Sequence, residues 1–504
     1  MLELLRRGAP ADPAIGAPDH DPLSFAGLGD LVATTVSSLN ALGIGRGDRV
    51  AIVLPNGPEM AACFVAVAAG ATTAPLNPAY RADELEFYLN DLGAKALIVD
   101  AAGHEAAEAV AARLGIAVLR LRVADGAPAG AFTLEGDPVG TTDRPGYSAD
   151  DDIALVLHTS GTTSRPKIVP LSLGNVQASA RHIRETLALS PADRCLNIMP
   201  LFHIHGLIAA VLSSLSAGAS VVCTPGFNAL KFFAWIDAAG PSWYTAVPTM
   251  HQAILARAPR NQESVDKAKL RLIRSSSASL PAQVMGELEA TFGCPVIESY
   301  GMTEAAHQMA SNLLPPGQRK PGSVGPAAGP EVAILSPDGT VLPAGAIGEI
   351  CIRGPNVTRG YENNDKANAE AFAYGWFHTG DQGTMDEDGF VRLTGRLKEI
   401  INRGGEKISP LEVDDVLMDH PAVQQVVTFA MPHDKLGEEV AAAVVLREGM
   451  SATERDIRDF CATKLADFKV PRRLVFLDEI PKGATGKLQR IGLADKLGLG
   501  KAPA

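Results

Sequence analysis

The sequence predicts an α/β protein whose large N-terminal domain is built on parallel-rich sheets with helices on both faces. Three observations predict it. Short apolar runs alternate with stretches of helical periodicity from residue 28 onward. Hydroxyl, glycine and charged residues cluster directly after several of these runs, where open α/β sheets bind ligands. The chain has 504 residues, 46% of them hydrophobic, enough for large cores and at least two domains.

Residues 1–24 are rich in Pro, Asp and Gly and are expected to be loop. Apolar residues then recur at helical spacing over 28–42, and Gly43 ends that helix. A strand is expected at 50–54, a helix at 57–69, a strand at 72–76, a helix at 82–92 and a strand at 96–99. Residues 60–80 carry no charge, but Gly70, Pro75, Asn77 and Pro78 break the run, so a buried helix followed by a strand is expected rather than a membrane span. Residues 121–150 read as a surface connection, 153–157 as a buried strand and 171–189 as a helix. Strands at 219–224, 242–246 and 271–275 each precede a further helix.

A net charge of −12 and a pI near 5.5 argue against a nucleic-acid or membrane-surface protein. The six cysteines are scattered with no C-x-x-C pair, as expected of reduced, buried thiols in the cytosol. No apolar core follows Arg6 and Arg7, so no signal peptide is expected, and the C-terminus is not a peroxisomal address. A cytoplasmic protein without membrane insertion or a nucleic-acid partner is the expectation.

Residues 159–167 read Thr-Ser-Gly-Thr-Thr-Ser-Arg-Pro-Lys. Five hydroxyl residues, a bend-permitting glycine and two cations suit a polyphosphate. The bland alternative is a polar turn after a strand. The run lacks the second glycine of a standard P-loop, and it resembles the phosphate-binding signature of the adenylate-forming superfamily: acyl-CoA synthetases, peptide-synthetase adenylation domains and luciferases. The more common form has glycine at the position of Ser164. The resemblance implies that Thr159, Ser160, Gly161, Thr162, Thr163, Ser164 and Lys167 bind ATP.

Residues 298–304, Glu-Ser-Tyr-Gly-Met-Thr-Glu, contain the superfamily's Tyr-Gly-Met-Thr-Glu signature residue for residue. Tyr300 can stack on a purine, Thr303 offers a hydroxyl to phosphate, and Glu304 offers hard oxygens to Mg²⁺. Glu298, Ser299 and Gly301 join the nucleotide site by the same resemblance. The run 274–279, Arg-Ser-Ser-Ser-Ala-Ser, is either a serine-rich turn or, as the resemblance implies, a wall of Ser277, Ala278 and Ser279 between adenine and substrate. His203 and His205 straddle a turn. From chemistry alone one faces a pocket or both are buried; the resemblance makes His203 a gate beside the carboxylate site. Residues 305–312 and 320–325 resemble the oxalate–CoA ligase branch. A pocket offering His205, Ser277 and His307 is polar and suits a small dianion, the alternative for His307 being a structural contact.

Asp381 lies in a glycine-flanked stretch expected to be loop, and a carboxylate there can accept from both ribose hydroxyls. The resemblance makes Asp381 and Arg396 ribose ligands and Lys398 a hinge between an N-terminal domain, 1–397, and a small α+β lid, 398–504. It places Gly404, Gly405 and Lys407 on the CoA side and makes Lys487 the mobile catalytic lysine. The implied activity is an ATP- and Mg²⁺-dependent acid–CoA ligase that forms an acyl-adenylate and then a thioester. Oxalate is the expected acid, with malonate the nearest variant. A free-standing enzyme loading a carrier protein and a nucleotide-binding regulator are the competitors. The absence of a visible phosphopantetheine-accepting serine motif favours free CoA over the first, and Lys487, Glu304, Asp381 and Arg396 together weigh against the second.

Overall fold

The computed structural model describes residues 1–159, 166–483 and 486–500. It is an α/β protein with two large sheets, an antiparallel sheet beside them, and a small C-terminal sheet domain. The seven-stranded sheet places Ile153–Thr159, Thr72–Pro75, Arg49–Val53, Ala96–Asp100 and Ala117–Arg122 side by side in parallel, with antiparallel strands at both edges. The eight-stranded sheet has a parallel interior of Val296–Met302, Leu272–Ser275, Trp243–Ala246, Arg194–Asn197, Ser220–Cys223 and Pro13–Gly16.

Helix Pro58–Ala68 shows why these sheets stack. Proline opens it, and every residue but Glu59 is buried, so it is apolar all round and fits only between layers. One core runs through it to the inward faces of both sheets, from Val50 and Ile98 to Ile15 and Trp243. Among the described residues no helix is long and apolar enough to cross a membrane. All six cysteines are free and buried.

Several expectations are corrected. Residues 1–24 are not simply loop: Pro13–Gly16 pairs in parallel with Ser220–Cys223, a strand too short to show periodicity. The connection 121–150 contains the edge strand Thr133–Glu135. The helix expected from 171 begins at Leu173, because Lys167–Ser172 is a strand and the Ser172 hydroxyl caps the helix by accepting from Asn175 N at 3.1 Å. The third N-terminal sheet, Glu331–Leu335, Gly348–Arg353, Phe377–Met385 and Val391–Arg396, is wholly antiparallel.

The C-terminal sheet joins strands from Ile401–Arg403 through Arg473–Phe476. Its helix Pro410–Met418 and strand Val423–His433 share a hydrophobic cluster with the outer face of the eight-stranded sheet. Polar contacts fasten the same junction: Gln252 Nε2 donates to Gln424 O at 3.0 Å, and Arg447 Nη2 to Glu287 Oε1 at 3.2 Å.

Candidate active site

The site forms where parallel strands of the eight-stranded sheet end. Strand Val296–Met302 runs through the tyrosine signature, so Glu298, Ser299 and Tyr300 are strand residues, and a single 3₁₀ turn then delivers Thr303 and Glu304. The chain reverses at Ala306 (φ 47°) and His307 (φ 105°) into the strand His307–Ser311. Such φ values are strained for residues with side chains. Gly301 permits the reversal, because a Cβ there would lie 1.8 Å from His307 O.

Among the residues expected to bind nucleotide, Asp381 is buried within the strand Phe377–Met385, not in a loop. Glycines flank it because the strand kinks at Gly380 (φ 74°) and passes close to its neighbour at Gly383, where a Cβ would meet Arg392 O at 2.5 Å. The Tyr300 hydroxyl donates to Asp381, and Arg396, its register partner, holds Nε 3.3 Å from Asp381 Oδ1. Glu349 braces the approach, accepting from Gly380 N at 2.9 Å and bonded to His378 Nδ1 at 2.8 Å. Glu298 accepts from Leu280 N at 2.8 Å, and burial pushes its carboxyl up to about 8. Ser299 turns its hydroxyl to Ser275 O at 3.4 Å. Ser277 is half-buried, and Ala278 and Ser279 are exposed.

Of the residues expected to bind phosphate, Thr159 and Lys167 face each other across an antiparallel pair. Ser160, Gly161, Thr162, Thr163 and Ser164 lie outside the described residues. Lys167 Nζ stands 4.2 Å over the Tyr361 ring, whose hydroxyl donates to Glu304 Oε1 at 2.8 Å. Burial pushes the Glu304 carboxyl up, opposed by that bond and by the charges of Lys167 and Arg396.

Lys487 comes from the C-terminal domain. Burial lowers its ammonium to about 8, helped by Arg396 and opposed by Asp381 and Glu304. Its charge also reaches His203, His205 and His307. The neighbouring Gly486 is anchored to the N-terminal domain, its carbonyl accepting from Thr249 Oγ1 at 2.7 Å.

The predicted acid residues form one wall. His205 opens a fully buried π-helical segment, His205–Leu212, a geometry common at functional sites. Its Nδ1 is 3.0 Å from Ser277 Oγ and its Nε2 is 2.6 Å from Thr245 Oγ1. The His307 ring meets it edge to face at 5.0 Å, with both His307 nitrogens buried and unpartnered. Burial holds both imidazoles well below their ordinary range, so both are neutral at pH 7. His203 is neutral as well, pushed down to about 3 by burial and then by Lys487.

The other predicted residues sit elsewhere. Gly404 and Gly405 are exposed at the tip of the hairpin between Ile401–Arg403 and Glu406–Ile408, and Lys407 is exposed in its second strand, opposite Asn402. Lys398 is exposed in the turn after strand Val391–Arg396. Three residues around the site went unpredicted. Arg274 carried a signal, a charge inside the apolar run of strand Leu272–Ser275. Thr245 and Tyr361 carried none.

Residues 6–362 match the AMP-binding enzyme family model, and residues 412–487 match the AMP-binding enzyme C-terminal domain. The chain belongs to the AMP-binding enzyme family. An oxalate–CoA ligase from Arabidopsis thaliana is 47% identical over 496 residues, covering 97% of this chain and 96% of that protein. One from Saccharomyces cerevisiae is 42% identical over 479 residues, covering 89% of this chain and 87% of that protein. The ATP-bound structure of MatB from Rhodopseudomonas palustris superposes with a TM-score of 0.87 at 31% identity, and its apo structure with 0.78 at 32%, each covering 98% of both chains.

Proposed function

We propose that this protein is an ATP-dependent acid–CoA ligase that activates oxalate as its adenylate and transfers the acyl group to CoA, releasing AMP and pyrophosphate. The observation that carries the proposal is Lys487, delivered by one domain among the buried carboxyls of Asp381 and Glu304 and the half-exposed Arg396 of the other, in the neighbourhood of His203, His205 and His307. The two oxalate–CoA ligases and the domain match support it.

In the first step an oxygen of the acid's carboxylate attacks the α-phosphorus of ATP, and the bond to pyrophosphate breaks. The barrier is anion repulsion plus charge developing on the phosphoryl oxygens, so a protein contributes positioning and cations. Lys487, Lys167 and the hydroxyls of Thr303 and the 159–164 run carry these roles. Asp381, oriented by Tyr300 and Arg396, receives the ribose. Glu304 fits a hard cation: it is buried, one oxygen takes the Tyr361 hydroxyl, and its raised carboxyl is one that a cation would hold ionised. Mg²⁺ held by Glu304 and the phosphates would supply charge neutralisation there.

In the second step the thiolate of CoA attacks the acyl carbon and AMP leaves. Lys487 is then in the way, so the domain 398–504 turns about Lys398 and brings Gly404, Gly405 and Lys407 toward the thiol. The better superposition on the ATP-bound than the apo structure supports a first-step arrangement here. The acid site closes on neutral donors, His205, His307 and Ser277, which suit a second carboxylate and leave a hydrocarbon tail nothing to bury against. Six buried free cysteines favour a reducing, cytoplasmic setting.

Exchange of labelled pyrophosphate into ATP, without CoA, tests the reading. Oxalate should drive exchange well above the acid-free rate. Exchange driven by long-chain or aromatic acids and not by oxalate would refute the substrate, and exchange with no acid at all would refute the adenylate.

A further inference from the structure

Among the described residues Arg274 is the only lysine or arginine that is fully buried, at 0% exposure. No carboxylate pairs with it there, and residues 160–165 and 484–485 contain no acidic side chain. A guanidinium offers five donors. Here three contacts engage it, all at 3.4 Å: Nη1 with His205 Nε2 and with Thr245 Oγ1, and Nη2 with Gln308 Oε1. Its Nε is buried without a partner. Desolvation lowers the guanidinium to about 9, so at pH 7 it is a cation without a counter-ion. Such a group is costly in an interior, where buried charges are otherwise paired.

Its neighbours show where the missing anion belongs. Arginine has no acceptor, so its contact makes His205 Nε2 the acceptor and leaves the proton on Nδ1. Nδ1–H then donates to Ser277 Oγ, and the Ser277 hydroxyl proton is free for a ligand. The unpartnered nitrogens of His307 lie against the same ring. Arg274 and Lys487 both act on His205 and His307, so the cluster carries two cations in the neighbourhood of two neutral imidazoles.

We infer that Arg274 is a specificity-determining residue, the buried counter-charge of the substrate's distal carboxylate, positioning the His205–Ser277 donor pair that receives it. The inference rests on the proposed ligase activity and deepens it. It explains how the pocket selects a dianion with neutral side chains at its surface: the charge lies one layer behind them. A monoanion of the same shape leaves Arg274 uncompensated.

The test compares oxalate with oxamate, which has an amide in place of one carboxylate, by pyrophosphate release in wild type, Arg274→Met, Arg274→Gln and Arg274→Lys. The wild-type kcat/KM should favour oxalate by about 10²-fold or more. In Arg274→Met and Arg274→Gln that ratio should collapse to within about tenfold, through loss on oxalate alone, with KM for ATP within about threefold of wild type. Arg274→Lys, which keeps the charge, should restore most of the ratio. Equal losses on both acids in folded protein, or a retained preference in the neutral variants, overturn the inference while leaving the ligase activity standing. A wild type indifferent to the second carboxylate overturns both. If neither neutral variant folds, wild type with a non-hydrolysable ATP analogue decides: oxalate must raise Tm more than oxamate, and equal shifts overturn the inference.

Discussion

The Arg396 and Glu399 side chains pair in opposite directions: Arg396 lies 3.3 Å from Asp381 in the candidate site, and Glu399 lies 3.2 Å from Arg490 of the C-terminal domain. Arg490 also holds Asp414 at 2.5 Å, so the Glu399 side chain is tied to the C-terminal domain, while its backbone N–H donates to Arg396 O at 2.8 Å. Lys398 is an exposed turn residue between the two allegiances. A rotation centred there breaks neither ion pair.

The first prediction follows. Lys398→Pro fixes φ near −65° at this point. Oxalate-dependent pyrophosphate exchange should stay within about threefold of wild type, while thioester formation falls by about 10²-fold or more. Normal overall turnover in single-turnover assays would show that the domain does not turn here.

Lys487→Ala should abolish adenylate formation yet leave thioester formation from a pre-made adenylate within about tenfold. The pH profile supplies a second readout. The useful form is the ammonium, and its midpoint is lowered to about 8. In the free enzyme kcat/KM for ATP should therefore hold below pH 8 and fall as pH rises through it. Lys487→Arg, whose charge persists, should lose that alkaline limb whatever its absolute rate. Persistence of the limb in that variant would assign it to another group.

His307→Ala removes a neutral imidazole whose nitrogens have no protein partner. A hydrogen bond to a charged group is worth about 1.5–3 kcal/mol, or roughly 10- to 10²-fold. The variant should lose that much in kcat/KM for oxalate, with KM for ATP within a few-fold. If ATP and acid kinetics deteriorate together, His307 only braces the loop after Glu304.

Gly301→Ala places a Cβ 1.8 Å from His307 O and 2.8 Å from His307 Nδ1. It should cost about 2–4 kcal/mol and weaken ATP and oxalate together, because the strand carrying Thr303 and Glu304 must move. Gly93→Ala is the control: its φ is also positive at 56°, but nothing lies within 4 Å of the added Cβ, so about 1 kcal/mol is expected with kinetics unchanged. Thermal melts and steady-state kinetics on the pair separate the two effects.

Much of the large sheets was legible because a parallel strand buried on both faces is a continuous apolar run, as at Ala96–Asp100 and Ser220–Cys223. The antiparallel sheet of 331–396 was much less legible, because strands such as Phe377–Met385 carry glycine, aspartate and threonine with one face half-exposed, and only the turn at Asp386–Gly389 reads as a hairpin in the sequence. Within the candidate site, contiguous motifs singled out Tyr300, Thr303, Glu304, Asp381 and Lys487 as expected site residues. What orients them comes from distant chain: Tyr361 reaches Glu304 across 57 positions, and Thr245 reaches His205 across 40. Local patterning carries no trace of such contacts, and only the charge of Arg274 inside an apolar run hinted at one.

The most direct measurement is the CoA-dependent reaction of the wild-type enzyme with oxalate, malonate, acetate and a medium-chain acid, following AMP release and the mass of the thioester. Oxalyl-CoA and AMP should form in equal amounts, with kcat/KM for oxalate about two to four orders of magnitude above acetate. Acetate or the medium-chain acid turning over as well as oxalate would contradict it.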